Sequence, residues 1–153
     1  MQITYRIATP DDTLACIILR GKTRENAFSA ERLEELGVTL DSWQTGIREG
    51  SLPGYVGIAD SRIIGYCFGD RETGEIVVLA LLPEYENYGI GKVLLNLIIE
   101  DFKAFGFERL FLGCSSDPKT RSYGFYRHLG WRSTGIFDEV NDEILEYFPS
   151  SVK

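Results

Sequence analysis

Two glycines one residue apart, Gly89 and Gly91, stand where an apolar run gives way to a long amphipathic one, and Lys92 follows them. The stretch reads Leu79-Ala80-Leu81-Leu82-Pro83-Glu84-Tyr85-Glu86-Asn87-Tyr88-Gly89-Ile90-Gly91-Lys92: a strand end, a loop rich in backbone N–H, then a helix start. Lacking a Cβ, either glycine lets the chain turn tightly and lets a ligand reach the main chain. The first helical turn offers N–H groups with no intrahelical acceptor, reinforced by the positive end of the dipole. With Lys92 beside them, this is the chemistry of phosphate binding. The same spacing also serves a plain strand-to-helix connection, and these residues alone do not choose between the two.

Better-known phosphate motifs fail. A Walker loop needs Gly at position 86 and Ser or Thr at 93, where this chain has Glu86 and Val93. A dinucleotide fingerprint needs a third small residue at 94, where Leu94 stands. Other reactive side chains have plain readings too. Cys114, at a strand end without a histidine partner in view, is a small buried hydrophobe. His128, the only histidine, complements a helix dipole, and a single imidazole removes most metal sites. Tyr126, at helical spacing with Leu129, reads as a core aromatic whose hydroxyl finds a partner. Glu75 follows Gly74 at a turn and reads as a solvated strand-end carboxylate; work as a base needs a raised pKa and reach to its proton.

The elements that position these residues follow from periodicity and punctuation. Ile3, Tyr5 and Ile7 alternate with polar neighbours, the period of a half-buried strand. Thr9-Pro10-Asp11-Asp12 then starts a first helix, running to about Leu19. Leu33, Leu36, Leu40, Trp43 and Ile47, with Glu31, Arg32, Glu34, Glu35 and Asp41 between them, predict one amphipathic helix from Ser29 to about Ile47. Tyr55–Ala59 and Ile63–Phe68 form a hairpin around Asp60-Ser61-Arg62. Asp70–Gly74 is a second turn, leading into Ile76–Leu82, a run that reads as buried on both faces and is stopped by Pro83. The helix from Gly89 to Phe105 turns Leu94, Ile98, Phe102 and Phe105 to one face, with Asn96, Glu100 and Lys103 opposite. Arg109–Cys114 is a strand, and Asp117-Pro118 caps a helix that stops at Leu129-Gly130. Trp131–Phe137 and Ile144–Phe148 are the last strands. The order β-α-α-β-β-β-α-β-α-β-β predicts one mixed α/β (α+β) domain over residues 1–153, with an antiparallel meander in front and a strand–helix–strand unit behind.

The last helix and the strand after it add Ser122-Tyr123-Gly124-Phe125-Tyr126-Arg127-His128-Leu129-Gly130-Trp131. With the Thr9-Pro10-Asp11-Asp12 opening and the segment from Pro83-Glu84-Tyr85 to Gly91, the chain resembles the GNAT superfamily of acetyl-coenzyme A-dependent N-acetyltransferases over nearly its whole length. The resemblance implies a GNAT-like acyl-CoA N-acyltransferase fold, acetyl-CoA as co-substrate, no metal, and acetyl transfer to a primary amine of a small-molecule or peptide acceptor. It assigns Asn87, Tyr88, Gly89, Ile90, Gly91 and Lys92 to the pyrophosphate-binding loop and helix start. It assigns Leu81 and Leu82 to the strand end that carries the pantetheine arm, where a main-chain N–H polarises the thioester carbonyl. Tyr126 matches the tyrosine that protonates the departing thiolate, and Glu75, fourteen residues before Gly89, matches a general base used by some members. The resemblance leaves Tyr85 and Tyr88 either covering the cofactor or coating the loop, and puts the second helix, with its acids Glu31, Glu34 and Glu35, beside the acceptor.

The match departs from the family at two points. Glu86 stands where the family has Arg or Gln, so a carboxylate lies near a diphosphate and weaker cofactor binding is expected. The Asn common at the start of the last helix is missing, leaving Ser116, Lys119 and Ser122 as nearby polar groups. Glu86 also keeps a rival in play: a non-catalytic module that binds or senses acyl-CoA. A further rival is an interaction subunit that keeps the fold without the cofactor.

Composition bounds the rest. In 153 residues, 16 Lys+Arg face 23 Asp+Glu, a net charge of −7. A sequence pI near 4.8 opposes nucleic-acid binding, which needs clustered cations. No apolar run approaches the ~20 residues of a membrane span. Met1 to Arg6 lacks the layout of a signal peptide. Cys16, Cys67 and Cys114 are odd in number and far apart, which predicts no disulfide framework and a cytoplasmic home. The exposed edges of a small mixed sheet are compatible with a homodimer.

Overall fold

The computed structural model describes residues 2–23, 30–35 and 37–149. Alternation builds β1 (Thr4–Ile7), and short apolar runs build β2 (Gly54–Ala59), β3 (Arg62–Asp70) and β4 (Glu75–Leu81), each strand antiparallel to the next. The β2–β3 turn puts Asp60 and Ser61 at φ 51° and 64°, left-handed values that match the twist of the flanking strands. β5 (Leu110–Cys114) runs parallel to β4, and β7 (Glu143–Tyr147) inserts between β5 and β6 (Arg132–Phe137). The seven-stranded order is β1-β2-β3-β4-β5-β7-β6, the mixed sheet that the sequence predicts.

The helices follow their caps. Pro10–Asp12 is a 3-10 turn leading into α1 (Thr13–Arg20). Asp12 fixes that junction by accepting from Arg6 at 2.7 and 2.9 Å and from the Thr9 N–H at 2.8 Å. The single helix expected from Ser29 to Ile47 is instead two, α2 (Ala30–Glu35) and α3 (Leu40–Glu49). Gly37, at φ +86°, turns the chain. Thr39 then caps α3, accepting the Ser42 N–H at 3.0 Å while the Ser42 hydroxyl accepts the Thr39 N–H at 2.9 Å. Stop and start signals thus outweigh the apolar spacing. Ser29, Leu36 and the side chains of Arg32 and Glu34 lie outside the described residues.

α4 (Ile90–Ala104) and α5 (Arg121–His128) complete the helices. Asp117-Pro118 does not cap α5, which starts after Thr120. Asp117 organises a separate turn: its carboxylate accepts the Lys119 N–H at 2.9 Å and its carbonyl accepts the Thr120 N–H at 3.0 Å.

The sheet is covered on both faces. α4 lies on one, with Leu94, Ile98 and Phe102 fully buried. It comes so close that a Cβ on Gly69 would meet Phe102 at 2.5 Å and one on Gly65 would meet Leu94 at 3.3 Å. α1 and α3 cover the other face, where Trp43 packs edge-on against Tyr66 and Phe68 at 5.8 and 5.5 Å. Each such side chain contributes about 1.5–3 kcal/mol by leaving water. Two residues expected inside are not: Phe105 at the end of α4 is 38% exposed and Val77 in β4 is 47% exposed. β4 is therefore not buried on both faces.

Candidate active site

Val77 marks an irregularity in β4. Across β3, Phe68 pairs with Val78 and Gly69 with Ile76, so Val77 has no partner and forms a bulge. A bulge bends its strand and re-aims the neighbouring groups. On its other side β4 pairs with β5 at one position only, Glu75 with Phe111, fastened by the Phe111 N–H donating to the Gly74 carbonyl at 3.2 Å. Beyond that rung the strands diverge. The V-shaped groove between them, about 190 Å³, is lined by Val77–Leu81, Leu112–Cys114, and Ser122, Phe125 and Tyr126 of α5.

The ladder decides which main-chain groups face this groove. The Leu82 N–H donates to the Ile64 carbonyl at 3.0 Å, so alternate residues of β4 bond to β3 and those between them turn away. Leu79 and Leu81 are the ones between, and their N–H and C=O groups face the groove. The main chain of Leu81 is thus available to a ligand, whereas the N–H of Leu82 is engaged and its side chain is buried.

At the groove mouth, Asn87 and Gly89 take φ 71° and 80° and swing the chain into α4, whose first-turn N–H groups have no intrahelical acceptor. Ile90 is buried, Lys92 exposed, and Tyr88 63% exposed. A Cβ on Gly91 would meet Phe125 at 3.5 Å and Leu79 at 3.9 Å, while one on Gly89 would meet nothing within 4 Å. Tyr85 is buried, with the Arg62 guanidinium 6.0 Å from its ring centre. Glu86 is almost fully covered and lies 3.6 Å from Arg121 of α5, and Arg121 also donates to the Asn87 side chain at 3.3 Å. The carboxylate is therefore offset by a cation from another element. Sequence reading missed Arg121, because nothing local links residues 86 and 121.

Tyr126 is buried on the groove wall, edge-on to Phe125 at 5.0 Å and Trp131 at 5.9 Å. Burial pushes its hydroxyl far above the ordinary tyrosine range, aided by Cys67 and Cys114 and opposed by Arg20. It is a protonated donor at neutral pH. One turn earlier, the buried Ser122 hydroxyl lines the groove with no partner in the protein. Glu75 lies at the closed apex rather than on the groove wall. Burial raises its carboxyl above the usual carboxylate range, with Asp70 and then Asp138 adding to the rise. It pairs with Asp70, two residues from Phe68, and so shares the sheet face of Phe68 and Val78. Cys114 is buried with its thiol raised by burial, and His128 is exposed in the last turn of α5.

A second cavity, about 290 Å³, opens beside the first between α2–α3 and the sheet. It is walled by Leu33, Trp43, Leu52 and Phe68, and it shares Arg20, Val77 and Val78 with the groove. Arg20, in the last turn of α1, had no signal beyond its complement to the helix dipole.

An extended coenzyme A arm fits the groove. Leu79 and Leu81 offer free main-chain edges, the Ser122 hydroxyl lacks a partner, and a helix start stands at the mouth. Among the described residues there is no group of three or more metal-binding side chains and no helix long and apolar enough to cross a membrane.

Residues 18–131 match the family model described as Acetyltransferase (GNAT) family. The amino-acid acetyltransferase of Pasteurella multocida (strain Pm70) is 25% identical over 136 residues, 88% of this chain. This chain spans only 28% of that protein's length. Among solved structures, PaiA N-acetyltransferase from Thermoplasma acidophilum in complex with coenzyme A superposes with a TM-score of 0.81 at 22% identity, covering 97% of this chain and 99% of that one. YncA from Salmonella typhimurium, with its cofactor acetyl-CoA, superposes at 0.74 with 15% identity, covering 97% and 95%.

Proposed function

The chain belongs to the acetyltransferase (GNAT) family, and on that premise we propose that it moves an acetyl group from acetyl-coenzyme A to a primary amine by direct attack. The observation that carries this reading is the groove itself: two parallel strands splayed from one rung, with main-chain donors on one wall and a buried tyrosine hydroxyl on the other. Acetyl-CoA supplies an activated thioester carbon.

The protein's residues divide the remaining work. The N–H groups of Asn87–Lys92 hold the diphosphate at the start of α4. The main chain of Leu79 and Leu81 holds the pantetheine arm, and the bend at Val77 brings main-chain N–H to the thioester carbonyl oxygen. Glu75, directly or through a water, takes a proton from the attacking amine; its raised pKa suits a base better than an ordinary carboxylate. As the C–N bond forms and the C–S bond breaks, Tyr126 gives its proton to the thiolate sulfur. Glu86 was the reason to doubt cofactor binding, and its ion pair with Arg121 weakens the case for a non-catalytic module. Three buried free thiols, Cys16, Cys67 and Cys114, support a reducing, cytoplasmic setting.

Calorimetric titration with acetyl-CoA, coenzyme A and desulfo-coenzyme A, followed by thiol release against an amine panel, tests the reading. Saturable binding and amine-dependent release are expected, and Tyr126→Phe should cut kcat by roughly a hundredfold. Absence of binding at millimolar cofactor would overturn the function. Full turnover by Tyr126→Phe would remove the acid role alone.

A further inference from the structure

The second cavity belongs with the groove rather than with the core. The two share Arg20, Val77 and Val78, and Val77 is the bulged residue at which β4 opens. At about 290 Å³ it lies just below the ~300 Å³ lower bound of small-molecule pockets. That suits one amino-acid-sized molecule and is too small for an oligosaccharide. Its walls select in two ways. Leu33, Trp43, Leu52 and Phe68 reward an apolar group taken out of water and penalise a charged one. Arg20, at the rim shared with the groove, repels a polycation and attracts an anion. Its guanidinium has five N–H donors in a planar fork, so it can take a carboxylate alongside the partners it already has.

We infer that the acceptor is a free α-amino acid with a medium-sized apolar side chain, which fills this cavity while its carboxylate meets Arg20. The α-amine, on the same carbon, then lies at the Val77 bulge, on the sheet face that carries Glu75. This deepens the acetyl-transfer reading and rests on it. It sets aside polyamines, which Arg20 repels, and amidated or protein-borne α-amines, which lack the carboxylate.

The test compares initial rates of thiol release by the intact protein with leucine, methionine, leucinamide, glutamate and spermidine, alongside calorimetry with acetyl-CoA. Leucine and methionine should exceed leucinamide, glutamate and spermidine in kcat/KM by roughly tenfold or more, the usual effect of one charge-assisted contact. Arg20→Met should raise KM for leucine by about tenfold without raising KM for leucinamide, a split that simple loss of structure would not produce. Val38→Trp, which fills the cavity from the α2–α3 turn, should lower activity on leucine more than on alanine. Equal use of leucine and leucinamide, or preference for spermidine or glutamate, would overturn the acceptor assignment. Cofactor binding without acetylation of any apolar amino acid would overturn it too and leave the acetyl-transfer reading standing; no cofactor binding would overturn both.

Discussion

Replacing Gly89 and Gly91 with alanine, one at a time, separates backbone strain from ligand contact. Gly89 has φ 80° and ψ 6°, a left-handed conformation that costs a residue with a Cβ roughly 1–2 kcal/mol. A Cβ there meets no atom within 4 Å, so strain is the whole cost to the unliganded fold. Gly91 lies inside α4, where its Cβ would touch Phe125 at 3.5 Å and Leu79 at 3.9 Å, both ordinary contacts. Alanine there improves helix propensity by at most about 1 kcal/mol, and by less in the first turn. Over 153 residues, each kcal/mol moves Tm by about 2–4 °C. Gly89→Ala should therefore melt roughly 3–6 °C lower, and Gly91→Ala within about 2 °C of the wild type. The open space beside Gly89 is where the diphosphate would lie, so coenzyme A should rescue Gly89→Ala less than the wild type. Thermal unfolding with and without coenzyme A reads both effects. At a hundredfold excess over Kd, the wild type gains about 2.7 kcal/mol. A Gly89→Ala protein that melts with the wild type, or one that gains the full ligand shift, would refute the assignment of strain and contact to this glycine.

Three further outcomes are expected. Glu75→Gln should lower kcat/KM by roughly a hundredfold and abolish an acid limb whose midpoint lies above the ordinary glutamate value of about 4.3. Because the folded state raises this pKa, it binds the proton more tightly than the unfolded chain does, and stability is lost as pH rises through the folded pKa. The Gln variant should thus be the more stable protein at pH 7, and an unchanged acid limb would exclude Glu75 as the base. Asp12 has the opposite sign: Arg6 first, and Thr9 after it, hold its carboxyl low against the pull of burial. Its contribution is present above the unfolded value and lost as pH falls through the folded one, so Asp12→Asn should cost roughly 1–2 kcal/mol in urea unfolding at pH 7. A deficit of equal size below about pH 3 would count against the ion pair with Arg6 as its source. Arg121→Ala should remove a cation from beside Glu86 at the groove and weaken coenzyme A by about tenfold, with Glu86→Gln in that background restoring most of it. Unaltered affinity in Arg121→Ala would show that the pair has no part in cofactor binding.

The sequence carried its turns and caps openly. Asp60-Ser61 is the hairpin turn, Thr9-Pro10 opens the first helical segment, and Gly89 starts α4. Gly37 and Thr39 were equally visible, yet the regular spacing from Leu33 to Ile47 argued for a continuous helix. A residue at φ +86° followed by a reciprocal Thr39–Ser42 cap ends that continuity. The bulge at Val77 had no local signal, since Ile76–Leu82 is apolar throughout. Residues that meet a ligand arm and residues that meet a core have the same composition. Glu86 was legible as a departure, but its compensation was not: Arg121 reaches it only after the sheet is assembled. Arg20 was hidden for the same reason, because it gains meaning only where two cavities meet.

One rung, Glu75 to Phe111, is the whole of the pairing between β4 and β5. The sheet is therefore two blocks joined by a seam. Strands β1 to β4 are laced to one another along their lengths, as are β5 and β7, and β6 joins β7 on either side of a break between Ser133 and Phe137, while the join between the blocks has a single stitch. An extended molecule lying along Leu79 and Leu81, as proposed for the cofactor, would replace the missing stitches with its own amides and act as an eighth strand. Cofactor occupancy would then set the rigidity across the middle of the molecule. Hydrogen exchange at the Leu79 and Leu81 amides should slow when the groove is filled, while the amides of Tyr66 and Phe68, already inside the lacing, change little.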